Sequence, residues 1–515
     1  MKHIKYILLS AVVLGFTACN DVEDVLEDNG ALVETTVLPE LNAGDLDFSN
    51  YIAVGPSFSA GVSDGTVFLA SQENSWPNIM SKEFAKAGGG EFKQPTMADN
   101  FGGLTLGGTR IIGPRLVFNG SGPASLESVV GPVTIQTDLL NNPTGPFNNL
   151  GVPGARSFHF VASGYGNLGN LEAGLANPYA TRLTGDTPNA SIIELAAAQN
   201  PSFFTLSLFG GNDVLGYATG GADQEQDQIT DLATFEAVLD IALAALTANG
   251  AEGVVSGTPH VTDLPYFTSV PHNPIPLDET TANAVNSAYA AYNAGIAQAF
   301  AYLVGVNAIS QNDADAEIAK RTISFCDVDE NGTPCNNAVV IIDEHLTDLT
   351  AINPALVSMR QATENDLMVL TSATFIGTEA IPGNPLTVNG VAIPLADKWV
   401  VTETELVEII SETDAMNASV QAAAQSYGIA YVDLQAILTQ ASNGGIVFDD
   451  YTLDTKLVTG GLIGLDGVHP TARGYAYMAN SFLQAIDNHY GSNFVASGNV
   501  AKAGEYPTNY SPLLQ

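Results

Sequence analysis

Short apolar runs bounded by Gly or Asp alternate along this chain with longer amphipathic stretches, and no other feature limits its fold as much. The runs are YIAVG (51–55), FFTLSLF (203–209), GVVSG (253–257), DLMVLTS (366–372) and IAYVDL (429–434). Ala, Leu, Ile and Val recur at spacings of three and four over 190–199, 232–249, 280–303, 403–427 and 471–490, which predicts helices there. Apolar strands alternating with helices predict an α/β fold, a parallel sheet buried on both faces. Segments 88–148, 304–340 and 376–400 are rich in Gly, Pro, Asn and Thr and break the alternation. No composition shift separates two cores, so these segments read as insertions within one domain over 47–495, followed by a tail over 496–515.

Hydrophobic residues make up 45% of the 515, enough for a substantial core. Sixteen Lys+Arg against 55 Asp+Glu leave a formal charge of -39. Such a field repels polyanions, which excludes nucleic acid as a partner.

At the start of the chain, Lys2 and Lys5 precede an apolar stretch from Tyr6 to Phe16, and Thr17-Ala18 place small residues before Cys19. The stretch is too short for a permanent membrane span. FTAC resembles a bacterial lipobox, with Phe16 where Leu is usual. The resemblance implies a signal peptide over 1–18, lipidation of Cys19, and an exported protein held at the outer membrane or cell surface. Acidic residues 20–30 lack an apolar face and read as part of a tether reaching to 46; they also resemble the surface-export signals of Bacteroidota lipoproteins.

Cys326 and Cys335 stand nine positions apart in CDVDENGTPCN. With no further Cys or His nearby, an exported chain predicts a disulfide rather than a metal site. Asp327, Asp329, Asn331 and Gly332 match the opening of a calcium loop, but its last position is Ala338, so an acidic turn is expected.

Nucleophilic hydrolysis requires a Ser, a His to take its proton, an acid to orient the His, and donors for the oxyanion. The first apolar run leads into GPSFSAG, which places Ser57 at the carboxyl edge of the sheet, where ligands of open α/β folds bind. DGVHPT sets Asp466 three residues before His469, ahead of a helix expected to begin with Pro470 and Thr471. FFTLSLF ends in GGND, which brings Asn212 to the same edge.

Together these blocks resemble the SGNH (GDSL-like) hydrolase family. GPSFSAG is similar to its first block, NLGVPGA (149–155) to its second, GGND to its third and DGVHPT to its fifth. The resemblance implies a three-layer flavodoxin-like fold, with Ser57 as nucleophile and His469 and Asp466 as base and acid. It further implies an oxyanion hole of Ser57, Gly154 and Asn212, an ester substrate, and no metal or organic cofactor. Pro56 stands where the family usually has Asp, which removes a carboxylate that would bond the second block. Ser59 is a weaker candidate nucleophile, Asp213 reads as a local structural acid, and His159 and His272 as structural or surface residues. The sequence therefore predicts a lipid-anchored esterase or lipase-like acylhydrolase. The rival reading is a surface binding lipoprotein that keeps the fold without turnover.

Overall fold

The computed structural model describes residues 38–223 and 227–515, so Cys19 and the lipobox lie outside the described residues. Five strands form the central sheet: β1 (Tyr51–Gly55), β2 (Asn149–Gly151), β3 (Phe203–Leu206), β4 (Glu252–Ser256) and β5 (Ala430–Val432). All pairings are parallel, in the order β5-β4-β3-β1-β2. The chain moves outward in one direction from β1 to β2 and in the other from β3 to β5. The carboxyl edge beside β1 and β3 is therefore a topological switch point, where an open α/β sheet offers a crevice.

Every residue of β1, β2 and β3 is buried, so both faces of the sheet are covered. Helix α1 (Trp76–Lys86) buries Trp76, Ile79, Met80 and Phe84 at helical spacing. The Phe84 ring lies 5.0 Å from Tyr51 of β1 and 5.6 Å from Phe203 of β3. Helices α2 (Ile192–Ala197), α3 (Gly211–Thr219) and α4 (Leu232–Thr247) follow. After them come α5 (Glu279–Gly305), α6 (Glu403–Tyr427) and α7 (Ala472–Tyr490). Helix α7 packs on α1, where Trp76 stacks on Phe482 at 4.4 Å, while α4 packs on α2 and α6. A Thr402–Glu405 capping box starts α6 and left-handed Gly428 ends it.

The structure redraws parts of the expected pattern. DLMVLTS does not enter the central sheet: only Leu367–Met368 is extended, and it pairs antiparallel with Val400–Val401. The missing central strand is β2, three residues of the NLGVPGA block, whose length and glycine gave no periodic signal. Helix α7 begins at Ala472, with the Thr471 hydroxyl accepting from Gly474 N, so Pro470 and Thr471 precede it. Residues 275–400 gather a second hydrophobic core around α5, whose Val285, Tyr289, Tyr292, Ile296 and Phe300 pack with Val340, Ile341, Leu349 and Leu356. Segments 304–340 and 376–400 are thus parts of one lobe built on α5. Packing on the main core begins at Leu41, inside the expected tether. The last residues are not loose: Ser511 O accepts from buried Arg115 and Ala503 is fully buried.

Cys326 and Cys335 are joined, with their Cα atoms 5.8 Å apart, across a turn in which Asp329 accepts from Asn331 N and Thr333 N. Closing a loop this short restricts the unfolded chain by about 3 kcal/mol in the chain-entropy description. Alkylation of unreduced protein should modify neither cysteine, and Cys326→Ser/Cys335→Ser should lower the melting temperature measured by circular dichroism. Two alkylated cysteines on intact-mass analysis would remove the bridge.

Candidate functional site

Three strand ends bring the first three blocks together. Gly55 closes β1 opposite Gly151 of β2, and Val54 pairs with Leu206 of β3. A side chain on Gly55 would collide with the Ser59 hydroxyl and the Ser207 carbonyl, and one on Gly151 with the backbone of Ala60. Only glycine lets the turn bearing Ser57 lie this close to its neighbours. After Pro56 the chain enters a single helical turn, Ser57–Ala60, with Pro56 O accepting from Ser59 N and Ala60 N.

His469 comes from a closed loop in which Gly464 N donates to His469 O at 2.7 Å and Thr471 N donates to Leu462 O. Its Nε2 lies 2.8 Å from Ser57 Oγ and its Nδ1 2.8 Å from Asp466 Oδ2. The three-residue offset works because left-handed Gly467 (φ +76°) turns the chain back, and Asp466 Oδ1 accepts from both Val468 N and His469 N at 2.9 Å. Burial pushes the Asp466 carboxyl up, but the adjacent His469 imidazole and these hydrogen bonds outweigh it and hold the group below the ordinary carboxylate value.

The remaining predicted residues face the same edge. Asn212 is the second residue of α3, and its Nδ2 donates to Ala155 O at 2.9 Å, which fixes it against the Gly154 turn. One amide hydrogen of Asn212 is left over. Gly154 is left-handed (φ +75°), and neither its amide nor that of Ser57 has a hydrogen-bond acceptor among the described residues. Ser57, Phe58, Leu208, Asn212, Val214, Leu215, Val261, Leu264 and Val468 line a narrow, mainly apolar cavity of about 30 Å³. A larger groove of about 560 Å³ lies in the second lobe between Val270–Leu277 and Ile376–Val391, away from Ser57 and without a titratable side chain.

Ser59 is fully buried and its hydroxyl has no partner, so no base serves it. Asp213 is buried and accepts from Ser157 Oγ (2.6 Å) and Ser157 N (2.8 Å), apart from His469. His159 accepts from Arg156 N and stacks on Tyr165; burial, assisted by the Arg156 charge, pushes it down to about 4. Neither His159 nor His272 lines the cavity beside Ser57.

Two supports were not foreseen from the sequence. Asn149 is one: its Nδ2 donates to Ser59 O (2.8 Å) and its Oδ1 accepts from Gly151 N (3.0 Å), which ties the first block to the second. Ser63 and Thr66 exchange two backbone bonds around left-handed Asp64 (φ +52°) and Gly65 (φ +90°). Asp-Gly is the signature of such a type I′ turn and could have marked it. Gly65 N donates to Asp466 Oδ2 at 2.7 Å, and Asp64 Oδ1 accepts from Leu465 N at 2.9 Å. Burial pushes the Asp64 carboxyl up to about 7, with the Asp466 charge adding to the rise.

A group raised in this way keeps its proton in the folded protein while the unfolded chain releases it. Its contribution to stability is therefore greatest below pH 4 and declines as pH rises toward 7. Asp64→Asn should remove that decline, so the melting temperature of the variant should gain on the wild type between pH 4 and pH 7. A constant difference across that range would show that Asp64 does not titrate there.

Comparison with known proteins adds nothing to this geometry: no family model, curated protein or solved structure matches the chain.

Proposed function

We propose that this chain is an exported, lipid-anchored serine acylhydrolase of SGNH type that cleaves carboxylic esters of short acyl groups. The observation that carries the reading is the unbroken relay from Ser57 Oγ through His469 to Asp466, with both hydrogen bonds at 2.8 Å. His469 Nε2 takes the proton of Ser57 as Oγ attacks the ester carbonyl, and Asp466 holds Nδ1–H and stabilises the imidazolium. Ser57 N, Gly154 N and the spare hydrogen of Asn212 Nδ2 are the donors for the tetrahedral oxyanion. His469 then protonates the departing alcohol, and water repeats the sequence on the acyl-enzyme. The five-stranded parallel sheet and its strand order suit the three-layer fold that the family resemblance implies.

Acyl size follows from the cavity beside Ser57. The cavity is small and its lining is mainly apolar. A small apolar space beside the nucleophile favours a short acyl chain over a long one. With p-nitrophenyl esters, kcat/KM should be higher for acetate than for octanoate by at least about tenfold, since each misplaced methylene costs on that scale.

Ser57→Ala should abolish turnover and labelling by a fluorophosphonate probe. His469→Ala should cripple both, because the hydroxyl keeps its proton. Asn212→Ala keeps nucleophile and base, so kcat should fall roughly 10²- to 10³-fold with a smaller change in KM. Normal turnover in Ser57→Ala would falsify the assignment. The anchor is tested separately: Cys19→Ser should move the protein from the membrane to the soluble fraction, and unchanged membrane association would place the anchor elsewhere.

A further inference from the structure

We propose that the carboxylates of Glu344, Asp397 and Glu405 form a binding site for a hard divalent cation of the calcium class. Each offers an oxygen, and the three oxygens lie within 4.8 Å of one another. Clustered acids on a surface would mean little, but Glu405 is only 1% exposed. Its Oε2 accepts from Thr402 N (2.7 Å) and Thr402 Oγ1 (2.9 Å) as the cap of α6, while Oε1 is buried with no N–H or hydroxyl donor, and the carboxyl meets that of Glu344. Asp397 Oδ1 is likewise buried without a donor. Buried carboxylate oxygens without donors, gathered beside a third carboxylate, cost several kcal/mol unless a proton or a cation takes the place of the missing donors, and a cation serves all three groups at once.

No side chain supplies that cation. The nearest buried guanidinium, Arg360, is committed to Asp343 (2.5 Å) and Asp366 (2.6 and 2.7 Å). Exposed Lys398 lies over the Trp399 ring at 5.1 Å. Among the described residues no ion pair involves Glu344, Asp397 or Glu405. Asp223 and Asp343 add further negative charge beside Asp397. The donor set is oxygen only, which selects hard cations over zinc or copper. Glu344 is exposed, which leaves a route for the ion and its remaining water ligands. Calcium accepts such an irregular, partly hydrated set, whereas magnesium demands near-ideal octahedral geometry.

The site joins separate parts of the chain. Glu344 follows the strand Val340–Ile342 of the second lobe, and Glu405 belongs to α6. Gly221, just beyond the helix that carries Asn212, lies so close to the backbone of Asp397 and Lys398 that no side chain fits there. A bound ion would therefore tie the lobe to the sheet domain. This inference concerns binding and holds whether or not the chain is an esterase.

The test is calorimetric titration of chelator-treated full-length protein with calcium chloride at pH 7.5. One ion per chain is expected, with Kd of about 10⁻⁴ to 10⁻³ M, the range of extracellular calcium modules, and a melting temperature that rises with calcium. Glu405→Gln keeps an acceptor for the helix cap and should weaken binding by more than the roughly 10- to 100-fold that outer-shell residues cost. Glu344→Gln changes an exposed side chain and should weaken binding too, so it decides the matter if Glu405→Gln fails to fold. Exposed Glu408→Gln on the same helix should bind as the wild type does. No saturable binding up to about 10⁻² M, tenfold beyond that range, would overturn the site. Wild-type affinity in Glu344→Gln would overturn it as well, and tighter binding of magnesium than of calcium would overturn the calcium assignment.

Discussion

A carboxylate taken out of water has to find its hydrogen bonds inside the protein, and the candidate site is arranged around how Asp466 does so. Its two oxygens accept from Gly65 N, Val468 N, His469 N and His469 Nδ1, all at 2.7–2.9 Å. Three of these donors are local, supplied by the turn at Gly467. The fourth comes from a residue 401 positions away, so the acid is fully solvated by the protein only once the first and last blocks have met. Asp64 adds a second bond across the same gap, to Leu465 N. The His469 ring is thereby oriented from behind by the segment that follows Ser57 in the chain, so His469 and Ser57 share one support.

That support depends in turn on how closely backbones approach at the sheet edge. Gly55 and Gly151 are opposite one another where β1 and β2 end, and both sit against the turn that carries Ser57. Asn149 bonds that turn from the facing strand. The first and second blocks are therefore tied although Pro56 offers neither a side-chain acceptor nor an N–H. Proline also fits locally, because position 56 lies before the helical turn and its carbonyl, not an N–H, does the bonding.

The elements legible in the sequence are those whose stability is local. The five helices predicted from apolar spacing are present to within a few residues, because each buries one continuous stripe. Four of the five apolar runs are central strands for the same reason. DLMVLTS failed as the fifth because a short apolar run is equally compatible with any buried extended segment, and here it serves the second lobe. β2 was hidden by the opposite circumstance: three residues with a glycine at the closing position carry no pattern, and the strand exists because β1 offers it an edge. Among candidate site residues, Ser57 and Asn212 were marked by motifs that follow strands, and Asp466 and His469 by a motif in the loop ahead of α7. Asn149, Asp64 and Gly65 act through partners 90 to 401 residues away, a distance that no local pattern reports.

As an interruption of the alternation alone, the inserted lobe would be peripheral, yet the segment leading into it continues the wall of the site. The segment that leaves β4 contributes Thr258, Pro259, Val261 and Leu264 to the cavity beside Ser57 before the chain enters the lobe. Tyr266 N donates to Gly467 O at 2.9 Å, inside the loop that holds Asp466 and His469. A side chain on Gly467 would strike the Tyr266 backbone and approach Leu370 of the lobe. Val270 then bridges to Met368, and Met368 pairs with Val400 just ahead of α6. The loop that carries His469 is thus contacted both by the Asp64–Gly65 turn and by Tyr266 and Leu370, so it is held by distant parts of the chain. A short loop gripped in this way has little freedom to swing His469 away from Ser57. The placement of His469 against Ser57 is then a property of the segments flanking the lobe as much as of the sheet.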